Sequence, residues 1–215
     1  MTFMHSLVFG DRAQAQAALD RFNRIHDRIS GSLEWKAGSH QPGSRYSGQD
    51  EQLKLWVFAT LIDSSRRAYQ TFIRDMSAKE VSDYYKDALM LGELMGIPRT
   101  IMPEHDTDFN EYMQGMLSGD KLAVSNESRQ MAHRVLHPVV GIKLNLSSRL
   151  LRLATAGMLP PRFRNAFGLS WTKANKAGFH TLKMITRILR PMTPPWIWTG
   201  PLQPRGVLAR YLLNE

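Results

Sequence analysis

The stretch "DEQLKLWVFATLIDSSRRAYQTFI" constrains the fold of this chain more than any other. Asp50 is placed to cap a helix running to Arg74, and between Leu53 and Ile62 only Lys54 and Thr60 are polar. A helix that is apolar nearly all round has almost no solvent face, so it is expected to run through the centre of a domain with its neighbours wrapped around it. Its apolar run, "LWVFATLI", is far shorter than the roughly 20 residues that cross a bilayer. The opening "MTFMHSLVFG" lacks the basic and long apolar regions of a signal peptide. A cytoplasmic protein is expected, at most peripheral to a membrane.

The neighbours also read as helices. Asp11 is positioned to cap a helix to about Ser30, in which Ala15, Ala18, Leu19, Phe22, Ile25 and Ile29 recur at three- and four-residue spacing. A Gly/Ser/Pro-rich loop follows. "SAKE" at 77 to 80 is a capping box opening a helix to about Met95. "GIPRTIMPEHD" breaks the helical pattern, after which Asp106 or Thr107 can cap a helix through Leu117. Shorter helical segments are expected near 125 to 136, 145 to 157, 161 to 167 and 171 to 189. No apolar–polar alternation is long enough for a convincing strand, and no repeat of fixed period is present. The fold class is therefore all-α. A single globular multi-helix domain is expected over residues 1–190, followed by a proline-rich C-terminal wrap and short helix over 191–215.

Composition narrows the chemistry. The absence of cysteine excludes disulfides, thiolate-ligated haem, iron–sulfur clusters and cysteine nucleophiles, so any metal or haem iron must be held by His, carboxylate, Met or Tyr. The twelve methionines read mostly as core filler. Charge is uneven: residues 1 to 120 carry 13 Lys and Arg against 17 Asp and Glu, whereas residues 121 to 215 carry 15 against 2. The C-terminal half thus presents either a plain solvated basic face or a surface for something anionic, such as nucleic acid, a phospholipid surface or the propionates of a cofactor. No recognition-helix, zinc-finger or RNP pattern accompanies the charge, so nucleic acid is not the expected partner. "PMTPPWIWTGP", with Trp196 and Trp198 beside "RILR", suits a peripheral membrane contact, or equally packing of the indoles on the domain.

His26 raises the sharpest chemical question. At about 100° per residue it falls beside Leu19, Phe22 and Ile29, opposite Arg21, Arg24 and Arg28. Burying an imidazole without a partner costs about 1–3 kcal/mol, so its nitrogens need a backbone carbonyl, a metal or a haem iron. His133 and His137 lie at i and i+4 and are the fallback axial ligands, although Arg134 stands where a zinc protease carries its glutamate. Packing or charge compensation at a helix C-terminus serves equally for that pair. Glu104, His105, Asp106 and Asp108 form either a cation cluster or a helix cap. Asp63 and Tyr69 are either groups that orient a site or satisfied polar residues of the core.

Taken together, "LVFGDRAQAQAALDRFNRIHDRISG", "RYSGQDEQLKLWVFATLIDSSRRAYQTF", "YYKDALMLGELMGIP" and, more loosely, "MLPPRFRNAFGLSW" resemble the mpaB-type and rubber (latex-clearing) oxygenase catalytic domain, an all-helical b-type haem fold. The order and spacing of these segments carry the resemblance, rather than any one motif. It implies haem b as cofactor, His26 as the proximal iron ligand, dioxygen as co-substrate and an apolar, isoprenoid or lipid-like substrate. Phe22 and Ile29 beside His26, and Leu55, Phe58, Ala59 and Ile62 on the central helix, are then candidates for the pocket wall. The family usually reads "LWVHATL" where this chain has Phe58, which removes a polar group near the haem. The family's arginine and threonine upstream of "FG" have no secure match, Thr2 lying too close to Phe9. Three functions follow as expectations: a haem-dependent oxygenase, a carrier of haem or an apolar ligand without turnover, or a basic helical module at an anionic membrane or nucleic acid.

Overall fold

Side-chain caps start the first helices where the sequence places them. In this computed structural model, which describes residues 6, 10–36, 38–137 and 145–193, the Asp11 carboxylate accepts from the Gln14 amide at 2.8 Å and the Asp11 amide donates back to Gln14 Oε1 at 3.1 Å. That reciprocal pair satisfies two of the four unpaired amides at the start of α1, Arg12–His26. Asp50 accepts from the amides of Gln52 and Leu53 to open α2, Glu51–Phe72, and Ser77 and Glu80 form the box that opens α3, Ala78–Leu94. Arg74 also reaches Glu80 at 2.5 Å. Hydrogen bonds from Arg74 and Ser77 hold the Glu80 carboxyl down to about 2.

A 3-10 turn, Arg99–Ile101, leads to α4, Asp106–Ser118, followed by α5, Asn126–Leu136, α6, Asn145–Met158, α7, Pro161–Ala166, and α8, Lys173–Met192. The N-cap of α4 is His105 rather than Asp106 or Thr107, and the His105 amide donates to Asp108 Oδ2 at 3.0 Å. The "PEHDTD" cluster therefore serves as a helix cap, with Asp106 and Asp108 in the first turn at the positive end of the dipole. The described residues form an all-α body carrying one small hairpin.

That hairpin corrects the sequence reading. Helix α1 ends at His26 instead of continuing to Ser30, and the chain enters strand β1, Ser30–Ser32, which pairs antiparallel with β2, Arg45–Ser47. Glycine sets this geometry. A Cβ on Gly48 would lie 2.5 Å from the His26 carbonyl oxygen, and one on Gly31 would lie 2.6 Å from the Tyr46 hydroxyl. Close backbone approach defines the strands, so no apolar alternation announced them. Ile29 falls beyond the helix and stays 42% exposed, outside the stripe to which its spacing assigned it.

Helix α2 organises the packing. Leu55, Phe58, Ala59 and Ile62 are buried against Tyr85, Ala88 and Leu91 of α3 and Phe109 and Met113 of α4, with Ala15 and Leu19 of α1 completing the cluster. Helix α8 crosses the other side of α2 and also packs on α6, which in turn contacts α5. Arg187 fastens α8 to the end of α2: its Nε donates to the Thr71 carbonyl at 3.2 Å, and Nη2 bonds the Gln70 carbonyl and, at 2.7 Å, Asp75 Oδ1. Beside Arg187, Asp75 is held below the usual carboxylate range, by that hydrogen bond first and by the charge second. The wrapping of α2 is incomplete, since Leu53 and Val57 remain 42% and 54% exposed. The expected wrap after Thr193, with Trp196 and Trp198, lies outside the described residues, as do Thr2 and Phe9.

The closest approach of α3 to α2 is at Gly92. A Cβ there would sit 2.6 Å from Met102 Sδ and 3.2 Å from the Phe58 ring. Alanine in place of a mid-helix glycine normally gains about 0.5–1 kcal/mol, but overpacking a filled core costs about 1–3 kcal/mol. Gly92→Ala is therefore expected to lower stability by about 1 kcal/mol in urea denaturation, the overlap outweighing the propensity gain. A stability equal to or above wild type would show that this seam is looser than described.

Candidate functional site

His26 closes the inward stripe of α1. Phe22, one turn earlier, packs against the core, and its ring lies 3.9 Å from the imidazole centroid at 34°. The His26 ring is half-buried rather than enclosed. Its Nδ1 stands 2.8 Å from the Phe22 carbonyl oxygen, which assigns the Nδ1–H as donor and leaves Nε2 with a lone pair. A ring that donates through one nitrogen to a backbone carbonyl is oriented to ligate metal through the other. The donor set would fit a haem iron, which His26 would hold through one such nitrogen. Among the described residues no group of three or more His, Cys, Asp or Glu could hold a bare metal ion.

The other residues expected to wall a pocket pack differently. Phe58 and Ala59 have no solvent exposure, and Leu55 and Ile62 only 2% and 5%. They belong to the filled core between α2, α3 and α4. Phe58 occupies its place in full, against Gly92. A hollow lies along the adjoining face of α2. A cavity of about 640 Å³ is bounded by Trp56, Thr60, Asp63 and Arg67 of α2, Met113 and Leu117 of α4, Ala154 and Met158 of α6, and Phe163 and Phe167 at α7. Such a volume is within the 300–1,000 Å³ range of small-molecule pockets, and its wall is apolar apart from a few groups on α2. His26 is not among its lining residues.

Asp63 is the buried charge of this wall, at 6% exposure. Arg67 Nε approaches Asp63 Oδ2 at 2.6 Å and Arg66 Nη2 approaches Oδ1 at 3.3 Å, while Arg66 also donates to Asn110 Oδ1 at 2.6 Å. Asp63 is thus a satisfied polar residue that ties α2 to α4, one of the two roles the sequence left open. Tyr69, 37% exposed, lies under the Arg74 guanidinium at 5.6 Å and faces away from the cavity wall.

His133 and His137 stack at 4.0 Å and 18° at the end of α5. His137 Nδ1 pairs with the His133 carbonyl at 3.0 Å and Nε2 with Arg152 Nη1, so both ring nitrogens of His137 are engaged and it offers no lone pair to iron. A second cavity, of about 610 Å³, opens beside this pair between α5, α6 and the start of α8.

Sequence reasoning picked out α2, but Leu55, Phe58, Ala59 and Ile62 do not line this cavity, and Ala154, Met158, Phe163 and Phe167, which do, were not among the expected site residues. The available signal was the run of small residues in "LATAGM" ahead of "PPRFRNAF", since small side chains on a packed helix leave room. No helix among the described residues is long and apolar enough to cross a membrane.

Residues 1–190 match the family model described as the ER-bound oxygenase mpaB/B'/Rubber oxygenase, catalytic domain. No curated protein and no solved structure matches the chain.

The clamp on Asp63 generates a stability prediction. Removing one partner of a buried ion pair costs about 3–5 kcal/mol, and the half-exposed Arg67 softens that loss. Asp63→Ala is expected to destabilise the protein by about 2–3 kcal/mol in urea denaturation, because Arg66, 13% exposed, is left buried with only Asn110. A loss below about 0.5 kcal/mol, the scale of a surface substitution, would show that the pair is solvated.

Proposed function

The chain belongs to the mpaB/rubber oxygenase catalytic-domain family, and on that premise we propose that it is a haem b-dependent oxygenase acting with dioxygen on an apolar, isoprenoid- or lipid-like substrate. The observation that carries the cofactor half of this reading is the placement of His26: Nδ1 is tied to the Phe22 carbonyl, and Nε2 has no hydrogen-bond partner among the described residues. When bound, a haem iron with one histidine ligand supplies an open coordination position at which dioxygen is activated.

The rest is work for the protein's own side chains. Phe22 holds the imidazole plane from one side by ring contact and from below by its carbonyl. The cavity between α2, α6 and α7 takes the apolar substrate and keeps water from it, Trp56, Met158 and Phe163 supplying contact area. Asp63, neutralised in place by Arg66 and Arg67, shows that wall little net charge. The exposed apolar stripe of α8, Met184, Ile185, Ile188, Leu189 and Met192, on a helix without Asp or Glu, supports a peripheral contact with an anionic membrane from which such substrates are drawn.

One observation favours a second reading. Phe58 fills, with no exposure, the position where the family's histidine would offer a hydrogen bond, which suits a carrier of haem or an apolar ligand without turnover. Oxygen consumption in the presence of a reductant and an isoprenoid separates the two.

The visible spectrum of the protein purified with haem supplementation tests the cofactor assignment. Wild type is expected to show a Soret band, His26→Ala to lose it, and added imidazole to restore it in the variant. No band in wild type would overturn the haem reading, and a band unchanged in His26→Ala would move the ligand to another residue.

A further inference from the structure

The cavity beside His133 and His137 is independent of the haem reading, and nothing in the proposed reaction uses it. Its polar wall carries His133, His137, Arg149, Arg152, Ser170 and Asn175, and its apolar side chains are Leu153, Ala156 and Leu169. Among the described residues no carboxylate lines it. In the whole stretch from residue 121 to 192 the one acidic residue is Glu127, which is not part of this wall.

Two guanidinium groups therefore meet one hollow with no counter-ion among the described residues of its wall. Arg149 and Arg152 project from successive turns of α6, a spacing at which like charges repel. Arg152 is half-buried, and its hydrogen-bond partner is His137 Nε2 rather than a carboxylate, while His137 Nδ1 pairs with the His133 carbonyl. Arg149 makes no hydrogen bond or ion pair with any of the described residues. Asn175, in the first turn of α8, donates Nδ2 to the Ser170 carbonyl at 2.7 Å, which brings the positive end of a long helix to the same wall. Two guanidinium groups, hydroxyl and amide groups and a helix N-terminus lining one hollow are the chemistry that recognises an oxyanion.

The volume decides what carries that oxyanion. At about 610 Å³ the cavity far exceeds a bare phosphate or carboxylate, and the leucines and alanine on its wall have no use for one. We propose that this cavity is a binding site for a small organic anion, a phosphate monoester or carboxylate on an apolar body, with Arg149 and Arg152 holding the anionic head and Leu153, Ala156 and Leu169 the body.

Calorimetric titration of the full-length chain with octyl phosphate, inorganic phosphate and 1-octanol tests this. Octyl phosphate is expected to bind at a single site, with affinity about tenfold or more lower in Arg149→Gln and in Arg152→Gln, the loss of one charge-assisted contact. Lys86→Gln, which removes the same charge from an exposed position outside the wall, is expected to leave affinity unchanged. Arg149 is exposed, so its variant keeps the test valid should Arg152→Gln fold poorly. Equal affinity in wild type and Arg149→Gln would overturn the role of the guanidiniums. Inorganic phosphate binding as tightly as octyl phosphate would overturn the apolar half, and octanol binding that tracks octyl phosphate would place both in the cavity beside α2.

Discussion

Everything in this domain leans on the way α2 is divided lengthwise. One face, Leu55, Phe58, Ala59 and Ile62, is buried against α3 and α4, and the adjoining face, Trp56, Thr60, Asp63 and Arg67, borders a hollow. A helix can keep one side open only if the other is rigid, because a loosely packed core would collapse into the void. Gly92 makes the rigid side possible by bringing α3 to van der Waals distance of the Phe58 ring, and Asp63 joins the two sides by tying α2 to α4 through Arg66 and Asn110. Distant Arg187 then fixes the end of the same helix to α8. The scaffold of the proposed oxygenase is thus a set of attachments to one helix.

The proposed iron ligand sits where regular structure stops. His26 is the last residue of α1, and the chain turns there into a hairpin held by two glycines. Its ring is oriented by its own helix, through the Phe22 carbonyl and ring, and not by a distant partner. A side chain held in this way keeps its orientation whatever the state of the cavity on α2, which His26 does not line. The proposed function would divide the labour accordingly: α1 would present the proposed iron ligand, and other elements would shape the proposed space for substrate.

Much of this was legible in the sequence, for identifiable reasons. Helix starts at Asp11, Asp50 and Ser77 were readable because capping is a local interaction between a side chain and the next amides. The family was readable because the order of short segments survives even where no single motif is diagnostic. The hairpin was not, since Gly31 and Gly48 act through close backbone approach that leaves no periodic trace. Nor was the open face of α2: hydrophobicity says that Phe58 and Trp56 both avoid water, but only the positions of α4, α6 and α7 decide which of them meets a filled core and which a hollow. The end of α1 at His26 likewise moved Ile29 out of the stripe that its spacing suggested. The basic excess after residue 120 was visible as a number, but its concentration of Arg149 and Arg152 at one cavity required the fold.

The division of α2 is most directly tested by a crystal structure under xenon pressure, because xenon enters apolar cavities and is excluded from filled cores. The account predicts xenon density between Trp56, Met158 and Phe163 and none within contact of Phe58 and Gly92. Xenon lodged against Phe58, or an empty space beside Trp56 already closed by inward movement of α6 and α7, would contradict it.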